Sequence, residues 1–152
     1  MGRKKRPKKA THKKSPKINK VPRGIEKVKQ IEEEYISWHL RILDRSGDWS
    51  WKGIDEKTIW KDIHSKLSEF ERKTWNEILI KEKKRNHTIP VSDICTEAQK
   101  RLKKIKQDDI DDLISLRLTG KKRVWGIRAG NVLKVLWWDP GHTVCPTQKK
   151  HT

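Results

Sequence analysis

An α+β domain behind a basic arm is the fold class the sequence predicts, on three observations. Apolar residues in the middle of the chain recur at helical spacing. Segments before and after that region alternate apolar and polar residues, as strands do. The first 23 residues contain no acid and almost nothing apolar. Helices segregated from an antiparallel sheet are the α+β pattern.

The length of 152 residues suits one hydrophobic core. Only 32% of residues are hydrophobic, yet all eight tryptophans lie between Trp38 and Trp138. Because an indole buries a large area, few such residues can build a core. Residues 1–23 read as a disordered basic arm and 24–152 as a single domain. The arm holds eleven Lys or Arg, among them Arg3, Lys4, Lys5, Arg6, Lys8, Lys9, Lys13 and Lys14, with Pro7, Pro16 and Pro22. Such a segment repels itself and buries too little surface to offset its ordering entropy.

Within the domain, Ile25 to Tyr35 is charged and helix-compatible. Ile36, Trp38, Leu40 and Ile42 alternate with polar residues and predict a strand, followed by a turn at Asp44–Gly47. Trp49 and Trp51 share one side and are expected to pack back across that turn onto the strand. Ile59, Ile63, Leu67 and Phe70 mark the inner face of a helix beginning near Asp55. Thr74 and Glu77 have capping-box spacing, so a second helix is expected there, burying Trp75, Ile78 and Leu79. Asn86 to Pro90 breaks it. A third helix is expected from Ser92 or Asp93 to Lys106, with Ile94, Ala98, Leu102 and Ile105 inward.

Three strands close the domain as an antiparallel meander. Ile114, Leu116 and Leu118 alternate with Ser115, Arg117 and Thr119. Val124 to Arg128 and Val132 to Trp138 are joined through Ala129–Asn131, and Asp139-Pro-Gly141 stops the last strand. The expected sheet has four strands, with helices on one face and Ser115, Arg117, Thr119 and Lys134 on an open wet face. Adjacent Trp137 and Trp138 point to opposite faces, so one enters the core and the other is either covered or a stacking platform.

A formal net charge of +18 implies a polyanionic partner, above all nucleic acid, either RNA (ribosome-bound RNA included) or DNA. Removing the arm's eleven charges leaves 27 basic against 20 acidic residues, a net of +7, so the arm carries most of the excess. No P-loop, dinucleotide fingerprint or nucleophile elbow is present, and no cofactor is expected. Cys95, Cys145, His142 and His151 are zinc-ligand types without finger spacing, so no metal is expected either. Two cysteines without a disulfide framework, and a basic N-terminus without an apolar segment, lead to the expectation of a cytoplasmic protein. No apolar run is long enough for a membrane span.

Cleavage of RNA through its own 2′-hydroxyl needs a proton acceptor, a proton donor and cations for the charged transition state. The candidate catalytic residues are His142, Arg117 and Arg123. The candidate nucleic-acid contacts are the arm residues named above with Lys121, Lys122, Arg128, Lys149 and Lys150. His87, beside Asn86, is a candidate loop contact to phosphate.

The stretches Leu116-Arg-Leu-Thr-Gly120, Arg123-Val-Trp-Gly126 and Leu136-Trp-Trp-Asp-Pro140, followed by His142, resemble a family of small bacterial and mobile-element proteins with a tryptophan-rich C-terminal hairpin. That resemblance covers residues 74–152. The order of elements resembles the RelE/ParE-like toxin superfamily, whose RelE branch cleaves messenger RNA on the ribosome. The chain departs from that pattern in its third helix, its basic arm and the lack of a tyrosine near the C-terminus. The toxin resemblance implies Arg117 and Arg123 as phosphate clamp, His142 in proton transfer with Lys149 and Lys150 in support, and an antitoxin covering the sheet or the arm. The function expected is that of a toxin-like, metal-independent endoribonuclease. The alternative is a non-catalytic nucleic-acid-binding accessory protein of a phage or mobile element.

Overall fold

The computed structural model describes residues 30–146, so the arm of residues 1–23, with Lys149 and Lys150, lies outside the described residues. Its architecture is α+β. Strand β1 (Ser37–His39) is followed by a continuous helix, α1, made of an α-turn Glu56–Thr58, a π-helical stretch Ile59–His64 and an α-helix Ser65–Phe70. A short π-helix, α2 (Glu77–Lys81), leads to β2 (His87–Pro90), a 3₁₀ turn and α3 (Thr96–Lys104). Strands β3 (Asp112–Arg117), β4 (Arg123–Ala129) and β5 (Val132–Asp139) complete the chain.

Local chemistry accounts for the helix boundaries. Asp55 caps α1 by accepting hydrogen bonds from the Thr58 amide and hydroxyl at 3.0 and 2.6 Å. The capping box before α2 forms as predicted: the Thr74 amide donates to Glu77 at 2.9 Å and the Glu77 amide donates to the Thr74 hydroxyl at 3.3 Å. Ala98 and Leu102 of α3 are buried, as the helical spacing requires.

The sheet differs from the expected one in three respects. Its order is β1-β5-β4-β3-β2, with β1 parallel to β5 and the other pairs antiparallel, so the sheet is mixed and five-stranded. The segment of residues 87–90, expected as a helix-breaking loop, is strand β2. Only three residues of the expected 36–42 strand pair with β5, because the chain turns at Leu40, whose carbonyl accepts from the Leu43 amide.

Both faces of the sheet are covered, which overturns the expected wet face. Ile63, Phe70, Trp75 and Ile78 cover one face, together with Ile114, Leu116, Val124, Leu133 and Trp138. Trp49, Ile94, Ala98 and Leu102 cover the other, with Leu113, Trp125, Leu136, Trp137 and Val144. Ser115, expected to be wet, is buried under this second layer, whereas Arg117 and Thr119 near the turn stay exposed and Lys134 is half-buried. Trp49 and Trp51 do not share a side. Trp49 packs on Trp137 at 5.3 Å between ring centroids and Trp51 on Trp138 at 6.0 Å, on opposite faces. The segment carrying them runs alongside β5: the Asp44 amide donates to Leu136 and the Trp138 amide to Trp49. Trp137 and Trp138 are thus both covered, and neither is a stacking platform.

A bulge lies between β4 and β5, where Trp125 faces Trp137 but Gly126 faces Val135, leaving Leu136 as the extra residue. The bulge lets Leu136 and Trp137 both enter the second layer. Gly126 permits it. A Cβ there would lie 2.7 Å from the Lys134 carbonyl oxygen and 2.8 Å from Leu133 Cγ, in a place where backbone must move. Gly126→Ala is expected to destabilise the domain by about 2–3 kcal/mol, as overpacking does, which urea denaturation would measure as a lower midpoint at unchanged slope.

Candidate functional site

Strand register places Arg117, Arg123 and His87 on one face of the sheet. Arg117 on β3 pairs with Arg123 on β4, which pairs with Asp139 on β5. Two residues along, His87 on β2 pairs with Ser115, Ser115 with Trp125 and Trp125 with Trp137. Cross-strand partners and residues two apart share a face, so these two rows point the same way. The upper row, at the strand ends, is polar; the lower row runs from exposed His87 into the indole core.

Asp139 holds the loop that brings His142 to this corner. Its carboxylate is wholly buried (0% exposed) and accepts hydrogen bonds from Trp125 Nε1 (3.1 Å), the Thr143 amide (2.8 Å) and hydroxyl (3.3 Å), and the Val144 amide (3.1 Å). Val144 is buried in the second layer, and its carbonyl accepts from the Cys95 amide at 2.8 Å. The Thr143 hydroxyl accepts from Trp49 Nε1 at 2.9 Å. With both flanks clipped, His142 takes a left-handed backbone, φ 55°, where glycine is the usual residue.

Two guanidiniums bear on that imidazole. Burial, then the charge of Arg123, with Arg117 and His87 adding, pushes the His142 pKa below the ordinary histidine range; Asp139 pulls the other way. At neutral pH His142 is therefore an unprotonated acceptor. Burial and the neighbouring Arg117 likewise lower the Arg123 pKa, although a guanidinium stays cationic throughout. Both arginines donate to one carbonyl oxygen, that of Gly120 in the β3–β4 turn, at 3.1 and 3.0 Å, which fixes two like charges side by side. An anion between them relieves that repulsion.

Asn86 supports the site from beneath. Buried, it donates to the Ile78 carbonyl at 3.1 Å and to Glu82 at 3.2 Å, and accepts from the Arg117 amide at 3.0 Å, tying the end of α2 to the end of β3.

Of the residues singled out in the sequence, Arg117, Arg123 and His142 converge here and Lys121 sits exposed on the adjoining turn. Lys122 is drawn away into an ion pair with Asp62 of α1. Arg128 lies on the sheet's other face, paired with Glu32 at 2.7 Å and stacked 4.1 Å above the Trp75 ring. The thiol of Cys145 donates to the Asp93 carbonyl at 3.4 Å, and among the described residues no three His, Cys, Asp or Glu side chains gather as a metal site. No helix among the described residues is long and apolar enough to cross a membrane. No protein-family model matches the chain, and no curated protein or solved structure matches it.

Proposed function

We propose that this corner binds the phosphodiester backbone of RNA and cleaves it without a metal, in the manner of a toxin-like endoribonuclease. The observation that carries the reading is the convergence of Arg117, Arg123 and His142 at one end of the sheet. Two guanidiniums clamp the phosphate and stabilise the charge that builds on its oxygens. His142 takes the proton of the 2′-hydroxyl, whose oxygen attacks phosphorus. The 5′ oxygen of the next nucleotide leaves, giving a 2′,3′-cyclic phosphate and a 5′-hydroxyl end. The basic arm raises local RNA concentration through counterion release.

The test is incubation of full-length protein with labelled single-stranded RNA and with the same strand carrying 2′-deoxy sugars, both in EDTA, and separately with translating ribosomes in the magnesium buffer they require. RNA is expected to be cut and the deoxy strand to survive. His142→Ala is expected to lower the rate by about 10²–10⁴-fold with little change in binding. His142→Gly, which suits the left-handed backbone, is expected to be as inactive yet no less stable than the parent. Intact RNA with salt-sensitive binding would replace this reading with that of a non-catalytic nucleic-acid-binding accessory protein.

A further inference from the structure

An imidazole that removes the 2′-hydroxyl proton is half of the reaction, because the departing 5′ oxygen is a poor leaving group until it is protonated. Resting on the proposed ribonuclease reading, we infer that His87 is the second catalytic residue, the acid that protonates the leaving 5′ oxygen. The supporting observation is where the register puts it. His87 opens strand β2, pairs with Ser115 two residues before Arg117, and so faces the same side of the sheet as both arginines. Its neighbour Asn86 accepts the Arg117 amide, which fixes β2 against the end of β3.

His87 lies on β2, Arg117 on β3 and Arg123 on β4, and the loop after β5 folds back over the same face, since Val144 is buried in the second layer and its carbonyl accepts from the Cys95 amide, so His142 is carried towards Arg123 and not away from the sheet. In-line displacement at phosphorus requires base and acid on opposite sides of the phosphate, with the cations on its equatorial oxygens. His87 approaches the arginine pair from the β2 side and His142 from the β5 side, where Asp139 holds its loop, so the two imidazoles come to a phosphate on that pair from different sides. They are also within electrostatic reach of each other, since the charge of His87 bears on His142. His142 is partly buried, while His87 is exposed on an edge strand where a proton is readily replenished from water.

Atoms and charges balance over the step. Neutral His142 gains the 2′-hydroxyl proton, the 2′ oxygen bonds to phosphorus, the bond from phosphorus to the 5′ oxygen breaks, and protonated His87 gives its proton to that oxygen. Exchange with water then returns both imidazoles to their starting states.

The experiment compares two oligoribonucleotides of one sequence, one native and one with sulfur replacing the 5′ oxygen at the linkage the parent protein cuts. A thiolate leaves without protonation. On the native strand, His87→Ala and His87→Gln are each expected to be slower than the parent by about 10²–10⁴-fold. On the sulfur strand both are expected within about threefold of the parent, whereas His142→Ala stays slow on both. Exposed His87 contributes little to the core, and unchanged melting temperatures would establish that both variants are folded. Variants equal to the parent on the native strand would overturn the assignment while leaving the ribonuclease reading intact. Equal losses on both strands would make His87 a phosphate contact or a structural residue. A parent protein that cuts neither strand overturns the assignment together with the reading beneath it.

Discussion

Asp139→Asn is expected to lose most of the proposed RNA-cleaving activity and a large part of the domain's stability, although it changes one oxygen to one nitrogen. Each carboxylate oxygen of Asp139 faces donors only: Oδ1 accepts from the amide and hydroxyl of Thr143, Oδ2 from Trp125 Nε1 and the Val144 amide. An asparagine amide has one acceptor end and one donor end. Whichever way it turns, its NH₂ meets N–H groups, and buried donors are left unpaired at a cost of about 1–3 kcal/mol each. Asp139→Ala removes all four acceptor contacts and also leaves a void. We expect about 3 kcal/mol of destabilisation or more for either variant, a drop of roughly 10 °C or more in melting temperature by the size scaling for small domains. The loop that carries His142 is released in both, so RNA cleavage should fall about as far as in His142→Ala. Calorimetry and the cleavage assay check the two halves separately. A variant that kept its melting temperature and lost cleavage would assign Asp139 a part in the chemistry, which its complete burial argues against.

The sequence made the candidate site more legible than the architecture that assembles it. Arg117, Arg123 and His142 could be named because cations and an imidazole clustered around strand ends are unusual against an otherwise core-forming stretch. His87 was visible only as a loop contact, since Asn86-His-Thr-Ile-Pro90 contains a proline and two turn-favouring residues and is too short to show alternation. It becomes a strand because Leu113 and Ile114 offer it an open ladder, and proline is tolerated at the last position of an edge strand. Asp139 is legible as the stop to β5, which it is; its four donors come from Trp125 on the neighbouring strand and from its own loop, and no periodicity reports them.

The layering is illegible in the sequence for a related reason. Alternation in β3 separates Ile114 and Leu116 from Ser115 and Arg117, which reads as one apolar and one wet face. A helix and a tryptophan segment remote in sequence cover the second face. Their apolar residues Ile94, Ala98, Leu102 and Trp49 were legible as buried, but not the side of the sheet on which they would be buried. The pairing of β1 with β5 was illegible too, because a parallel edge pair of three residues carries no turn signature.

Besides its backbone bonds to β5 and the packing of Trp49, that remote segment is held by one ion pair, Asp44 with Arg101, and removing its acid is expected to be among the most damaging changes to the fold. Asp44 accepts from Arg101 Nε at 2.8 Å and Nη2 at 2.6 Å, from Trp137 Nε1 at 3.0 Å and from the Ser46 amide at 3.2 Å. Side-chain exposure is 2% for Asp44 and 14% for Arg101, so water cannot replace the lost partner. Arg101 also donates to the Ser46 carbonyl and hydroxyl, each at 2.8 Å. Gly47, at φ 90°, lets the turn close over the guanidinium; a Cβ there would lie 2.9 Å from Arg101 Nε.

Asp44→Ala leaves a partly buried guanidinium and a buried indole N–H without their acceptor, and is expected to cost about 3 kcal/mol, a large share of a small domain's total stability. Asp44→Leu combined with Arg101→Met should recover part of that loss, because the penalty comes chiefly from the unpaired charge. Acid gives an independent check. Burial works against the Asp44 charge, but hydrogen bonds from Arg101, Ser46 and Trp137 outweigh it and hold the pKa below the usual aspartate range. The unfolded chain therefore takes up this proton first as pH falls through about 4, and the stability held above that pH is lost on the way down to the folded pKa. Melting temperatures of the parent and Asp44→Ala should accordingly lie far apart at pH 6 and converge below about pH 4; a gap that stayed constant with pH would place the pair's contribution in packing and not in charge.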